Sequence, residues 1–169
     1  MKKKPQQFYE ETLKRKDILV YTTEPFKQRY TVVGPVSAVL HASTSAKDTD
    51  WFMRLVEIDK DGKFQVLAMG KIRARYRQSM TKPQLLSPGK VYAYQLDLWH
   101  TGITMPEGSR LRVEVASAAF PLFSRNLNTG GHNETETKFV KADQAIYRDA
   151  ARPSHVLLPM IPELTGTAR

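Results

Sequence analysis

Four histidines, nine serines and two close pairs of aspartates are the residues of this 169-residue chain best suited to bond cleavage or metal binding. A serine hydrolase of the α/β type carries its nucleophile in G-x-S-x-G, because the serine must stand on a sharp strand-to-helix turn with small neighbours. None of the serines has that context. Gly34-Pro35-Val36-Ser37 and Glu107-Gly108-Ser109-Arg110 come nearest, and both lack the flanking glycine pair. His41, His100, His132 and His155 are too dispersed for a triad to be read from spacing, and each is expected to be structural. Ser154 and His155 are adjacent, but neighbours on a strand point to opposite faces and cannot act as nucleophile and base. A triad on Ser154 or Ser117 finds no support in spacing, so no catalytic residue is assigned.

Asp48-Thr49-Asp50 and Asp59-Lys60-Asp61-Gly62 suggest calcium, which takes several carboxylates from one bent loop. The full loop of about twelve residues ends in Glu, whereas the twelfth position from Asp59 is Gly70, so a turn is the better reading and no metal ligand is assigned. With no cysteine, disulfides, thiolate zinc sites, iron–sulfur clusters and cysteine nucleophiles are excluded. No cofactor is expected.

The sharpest charge feature is Lys71-Ile72-Arg73-Ala74-Arg75-Tyr76-Arg77. On a strand it would line Lys71, Arg73, Arg75 and Arg77 along one face. Such a stripe suits phosphates, but no aromatic group interleaves with the cations on that face, as a single-strand binder requires. A solvated face, a guarded sheet edge or a surface pairing with acids of another domain remain, and nucleic acid is not expected as a partner. Trp51 and Phe52 follow Asp50, and a strand starting there sends them to opposite faces, so only one can be core. The other is covered by a partner or lies under a loop.

The elements that must position these groups are strands. The composition, 41% hydrophobic and 25% charged, fits one soluble domain with a real core. The net charge of +9 is uneven, since residues 1–16 contribute four of the nine excess positive charges. The apolar stretches fall short of the ~18 residues a spanning helix needs, so no membrane is expected. The start lacks a secretion signal's apolar region, which favours the cytoplasm. Beyond residue 16, short period-2 runs rich in Val, Tyr, Phe and Thr alternate with Gly, Pro, Asp and Ser clusters. They cover Asp17–Thr23, Tyr30–Ser43, Trp51–Asp59, Lys63–Arg77, Lys90–Trp99, Ser109–Ser117, Lys138–Arg148 and Ser154–Pro159. Val36, Ala38, Leu40 and Ala42 share one face, as do Leu111, Val113 and Val115. Asp59-Lys60-Asp61-Gly62 predicts a tight hairpin. Long connections at Gln78–Gly89 and Phe120–Thr137 suit an all-β sandwich of jelly-roll form. Helix is expected only at Gln7–Lys16. The expected organisation is a basic extension (1–16), one jelly-roll domain (17–162) and a tail (163–169).

Ten blocks, in order, resemble one hydrolase family. They are Asp17–Pro25, Val33–Val36, Asp48–Trp51, Arg73–Arg77, Ser87–Gly89, Leu98-Trp99, Arg110–Arg112, Phe120-Pro121, Arg125–Gly130 and Pro153–Pro159. The chain resembles, over about residues 17 to 162, the C-terminal domain of the CocE/NonD hydrolases, shared with X-Pro dipeptidyl-peptidases and α-amino acid ester hydrolases. The resemblance implies a galactose-binding-like jelly roll, non-catalytic, packed on an α/β-hydrolase domain that supplies the Ser-Asp-His triad from upstream of this segment. That domain is the implied partner, in cis or as a separate chain, and the exposed interdomain face could also pair copies of this chain. The family pattern Gly-His-Arg reads Gly108-Ser109-Arg110 here, which implies altered packing only. His commonly follows Tyr at the position of Arg148, so any contact of that His is lost. By motif position, Trp51 or Phe52 would form the lip of the acyl pocket. Arg73, Arg75, Arg77, Phe120 and Phe123 would make the interdomain contact, with the loop Phe120–Gly131 packing on the catalytic domain. The alternative is a free-standing carbohydrate-binding module of the same fold.

Overall fold

The computed structural model describes residue 10 and residues 13–162. Most of the basic extension, half of the helix expected at Gln7–Lys16 and the tail at 163–169 lie outside the described residues. Among the described residues, nine strands run in order: β1 (Ile18–Thr22), β2 (Tyr30–Thr44), β3 (Asp50–Ile58), β4 (Phe64–Arg73), β5 (Tyr92–Met105), β6 (Arg110–Ala116), β7 (Gln144–Tyr147), β8 (His155–Leu157) and β9 (Met160–Ile161). They form two antiparallel sheets, one ordered β1-β6-β3-β4, the other β5-β2-β7 with β8 and β9 also on β2. The all-β sandwich expected from the period-2 runs is what the chain forms.

Alternation decides which side of each strand is core. Val36, Ala38, Leu40 and Ala42 of β2 are buried, and they meet Trp51, Met53 and Leu55 of β3 and Tyr94, Leu96 and Leu98 of β5. Val115 joins them, with Leu111 and Val113 packed at the margin. The hairpin at 59–62 turns as expected, because Gly62 takes φ 79°. The Asp59 carboxylate accepts the N–H groups of Asp61 (2.9 Å) and Lys63 (2.8 Å). That carboxylate caps a turn.

Two strand expectations need correction. β4 ends at Arg73, and Ala74–Tyr76 form a single 3-10 turn, so the cationic stripe expected over Lys71–Arg77 does not form. Ala74 is fully buried and its N–H donates to Thr49 O (2.9 Å), which pulls the chain off the strand path. β7 occupies only Gln144–Tyr147 of the run expected from Lys138. Residues 118–143 form a long loop instead.

Candidate functional site

The loop of residues 118–143 is fixed to the sandwich by a buried polar clasp. Asp48 and Asp50, at the entry to β3, are fully buried, and a buried carboxylate must find donors. Arg73 donates twice to Asp50 (2.9 and 3.2 Å). Arg75 donates to Asp48 through its side chain (2.8 Å) and its backbone N–H (2.9 Å). The amide of Asn126 bridges the two carboxylates, donating to Asp48 at 2.8 Å and Asp50 at 2.9 Å. Arg75 also reaches Gly131 O (2.9 Å), tying the far side of the loop to the same point. The hydrogen bond to Asp50 raises the Arg73 pKa above its ordinary value against the opposing cost of burial, with smaller help from the charges of Asp50 and Asp48. Thus Arg73 and Arg75, expected to meet acids of another domain, already hold acids of their own chain. Arg77 donates to Gln84 O (2.6 Å) and stacks on Tyr92 at 4.4 Å.

The clasp presents an apolar ridge to solvent. Phe120 and Leu122 are 57% and 65% exposed, although each is a large apolar side chain. Beneath them lies a cavity of about 190 Å³ on the outer face of the β1-β6-β3-β4 sheet, lined by Phe52, Met69 and Ala116 and by Arg54 and Glu114. Arg54 and Glu114 form an ion pair at 2.6 Å. The expected Trp51–Phe52 alternation holds: Trp51 lies between the sheets, 5.8 Å from the ring of Tyr94. Phe52 faces the other way and is covered by Phe123 at 5.4 Å. Lys71 Nζ stands 4.6 Å from the Phe123 ring.

Beside the ridge, a groove of about 400 Å³ is lined by Met69, Lys71, Met80, Asp97, Trp99 and Phe123 among others. Trp99 and Met80 are 74% and 78% exposed. These two are not among the residues assigned a role from sequence, whereas Leu122 and Asn126 fall within the loop expected to pack on the catalytic domain but were not singled out in it. A signal existed for Trp99, since Tyr94, Leu96 and Leu98 alternate with Gln95, Asp97 and Trp99 and so place the indole on the polar face. Asn126 had only the family likeness of its block, Arg125–Gly130, and its role could not be read because its partners lie about 76 residues away along the chain.

Ser154 and Ser109 have structural tasks. Ser154 Oγ donates to Tyr147 O (2.6 Å) and accepts the His41 N–H (2.9 Å), and so ties β2 to the segment before β8. His155 Nδ1 lies 2.6 Å from Pro153 O, directed away from that hydroxyl. Ser109, at the position of the family's histidine, is buried and donates to Glu57 at 2.9 Å. Among the described residues, no group of three or more His, Asp or Glu side chains could hold a metal ion.

Residues 2–157 match the family model described as the X-Pro dipeptidyl-peptidase C-terminal non-catalytic domain. The cocaine esterase of Rhodococcus sp. (strain MB1 Bresler) is 38% identical over 149 residues, 87% of this chain and 26% of that protein. A solved aminopeptidase from a marine sediment Thaumarchaeota archaeon superposes with a TM-score of 0.83 at 32% identity, covering 90% of this chain and 27% of that one. An α-amino acid ester hydrolase gives a TM-score of 0.84 at 30% identity, covering 92% and 27%. The chain therefore spans about a quarter of the length of the relatives it matches. Those relatives are named as hydrolases, the matched family is a non-catalytic part of such enzymes, and the chain belongs to this C-terminal non-catalytic domain family of the CocE/NonD hydrolases.

Proposed function

We propose that this chain is the accessory domain of a serine hydrolase that cleaves esters or amides. It docks, in cis or as a separate chain, on an α/β-hydrolase domain that carries the triad. It stabilises that domain and borders its acyl pocket. The observation that carries the reading is the ridge of Phe120 and Leu122, held out in solvent by a clasp whose two carboxylates are fully buried. Burying polar groups to display apolar ones makes physical sense only if a second surface covers the display. The Trp51 indole is enclosed between the sheets and Phe52 is buried beneath Phe123, so Phe52 would shape the lip from below, through the Phe123 ring it supports. Arg73 and Arg75 contribute to the interdomain contact by fixing the loop that carries Phe120 and Phe123.

The mass of the native product tests this. An antibody against the chain should reveal, on a denaturing gel, a band more than about twice the 19.3 kDa of this sequence, or a 19.3 kDa band that co-purifies with a fluorophosphonate-labelled partner. A 19.3 kDa product with no such partner would count against it.

A further inference from the structure

The strongest unexplained feature is Trp99. In the β2–β5 pairing, Pro35 faces His100 and Ser37 faces Asp97, so Val36 alone faces both Leu98 and Trp99. This is a bulge, and bulges re-aim side chains. Leu98 goes fully into the core, whereas Trp99 takes φ 73° and stands 74% exposed. A large side chain at positive φ is strained, because its Cβ crowds the backbone. The Asp97 carboxylate accepts the Trp99 N–H at 2.8 Å and so holds the strained turn in place. An exposed indole in a strained conformation weakens the isolated domain and returns nothing to it.

The surroundings show what the indole is prepared for. At the groove floor β4 and β5 touch backbone to backbone, since a Cβ on Gly70 would lie 2.0 Å from Asp97 O. Phe123 forms the opposite wall and belongs to the same loop as Phe120 and Leu122, so ridge and groove are one continuous face. Lys71 at its edge has no carboxylate partner among the described residues. The exposed aliphatic residues Val33, Leu157, Met160 and Ile161, on β2, β8 and β9, show no such backbone outlier.

We infer that Trp99 is the anchor of the interdomain contact, inserted into an apolar pocket of the catalytic domain with an acidic residue of that domain facing Lys71. The inference rests on the accessory-domain reading. It names the occupant because the relatives carry this domain within chains about four times as long. Buried Trp is the residue type most enriched among interface residues that dominate affinity.

Trp99→Gly tests it by sign. In the isolated chain, glycine relieves the positive φ and little packing is lost, so the thermal midpoint should change by no more than about 2 °C or rise. In the assembled hydrolase the same substitution should lower the midpoint of thermal inactivation by at least about 4 °C. Leu157→Ser is the control, with equal effects expected in both forms. Equal effects of Trp99→Gly in both forms would overturn the anchor while leaving the accessory-domain reading intact. A free 19.3 kDa product without a catalytic partner would remove both. Saturable quenching of the chain's tryptophan emission by galactose, lost in Trp99→Gly, would assign the groove to a sugar and overturn the inference.

Discussion

Two buried carboxylates set the residue scale. Asp48 and Asp50 stand side by side out of water, and only the donors of Arg73, Arg75 and Asn126 make that arrangement stable. Breaking a buried pair from one side leaves an uncompensated charge, a loss of about 3–5 kcal/mol. Arg75→Met should therefore lower the unfolding free energy obtained from urea denaturation by that order. Asn126→Ala removes an uncharged bridge and should cost about 1–3 kcal/mol. In Asn126→Ala, limited proteolysis should cut first within residues 118–143, while β2 and β3 stay protected. A second buried group gives a pH dependence. Burial raises the Tyr94 phenol from 10.0 to about 12, with the Trp51 indole, at a geometry short of a hydrogen bond, acting in the opposite direction. The unfolded chain ionises this group near pH 10, so the folded state binds the proton more tightly. Stability is complete below about pH 10 and falls by about 2–3 kcal/mol as pH rises to about 12. Tyr94→Phe should abolish that alkaline loss in denaturation curves. It should leave neutral-pH stability unchanged or higher, because the hydroxyl finds no hydrogen-bond partner in the core.

At the scale of elements, β4 and β5 approach each other backbone to backbone at Gly70 and Asp97. Gly70 is the position where side-chain volume cannot be accommodated, since the nearest obstacle is the backbone carbonyl of Asp97. Gly70→Ala should cost about 3 kcal/mol or prevent folding. A Cβ on Gly102 of β5 would meet nothing within 4 Å, so Gly102→Ala should be near neutral. Comparing the two denaturation midpoints separates loss of β4–β5 contact from a general intolerance of alanine in strands. Most strands were legible because half-buried sheets leave period 2 in the sequence, as in Val36, Ala38, Leu40 and Ala42. The end of β4 was not. Alternation continues through Lys71–Arg77, but the hydrogen bond from Ala74 to Thr49 and the pull of Asp48 on Arg75 win over it.

Across the whole molecule, the ridge and groove form the apolar face beside the clasp, with Val33, Leu157, Met160 and Ile161 exposed elsewhere on β2, β8 and β9, while Ser109 and Ser154 are engaged in structural hydrogen bonds. The Ser154 hydroxyl is consumed by backbone partners and Ser109 by Glu57, so a fluorophosphonate probe should leave the isolated chain unlabelled. Labelling at a stoichiometry near one would reveal an activated serine and contradict the accessory role. The positive charge of +9 is a property of the sequence as a whole. The clasp arginines are committed inward, Arg73 to Asp50 and Arg75 to Asp48, whereas Lys71 and Arg125 stand against the rings of Phe123 and Phe120 on the candidate face. Salt should therefore weaken docking through the exposed Arg125 and the half-buried Lys71 rather than through the clasp.

By itself, the sequence determined the strand pattern, the absence of cysteine chemistry, the lack of a nucleophile elbow and the family likeness of its ordered blocks. These properties are local: each is carried by residue types at short, fixed spacing. Which of Trp51 and Phe52 was core, where the arginines found their carboxylates and that Trp99 stands strained in solvent were decided only by tertiary structure. Asn126 meets Asp48 across 78 positions, and the bulge at Trp99 exists only because β2 pairs with β5 one residue out of step. Contacts of such separation depend on which strands become neighbours, and no short window of sequence carries that information.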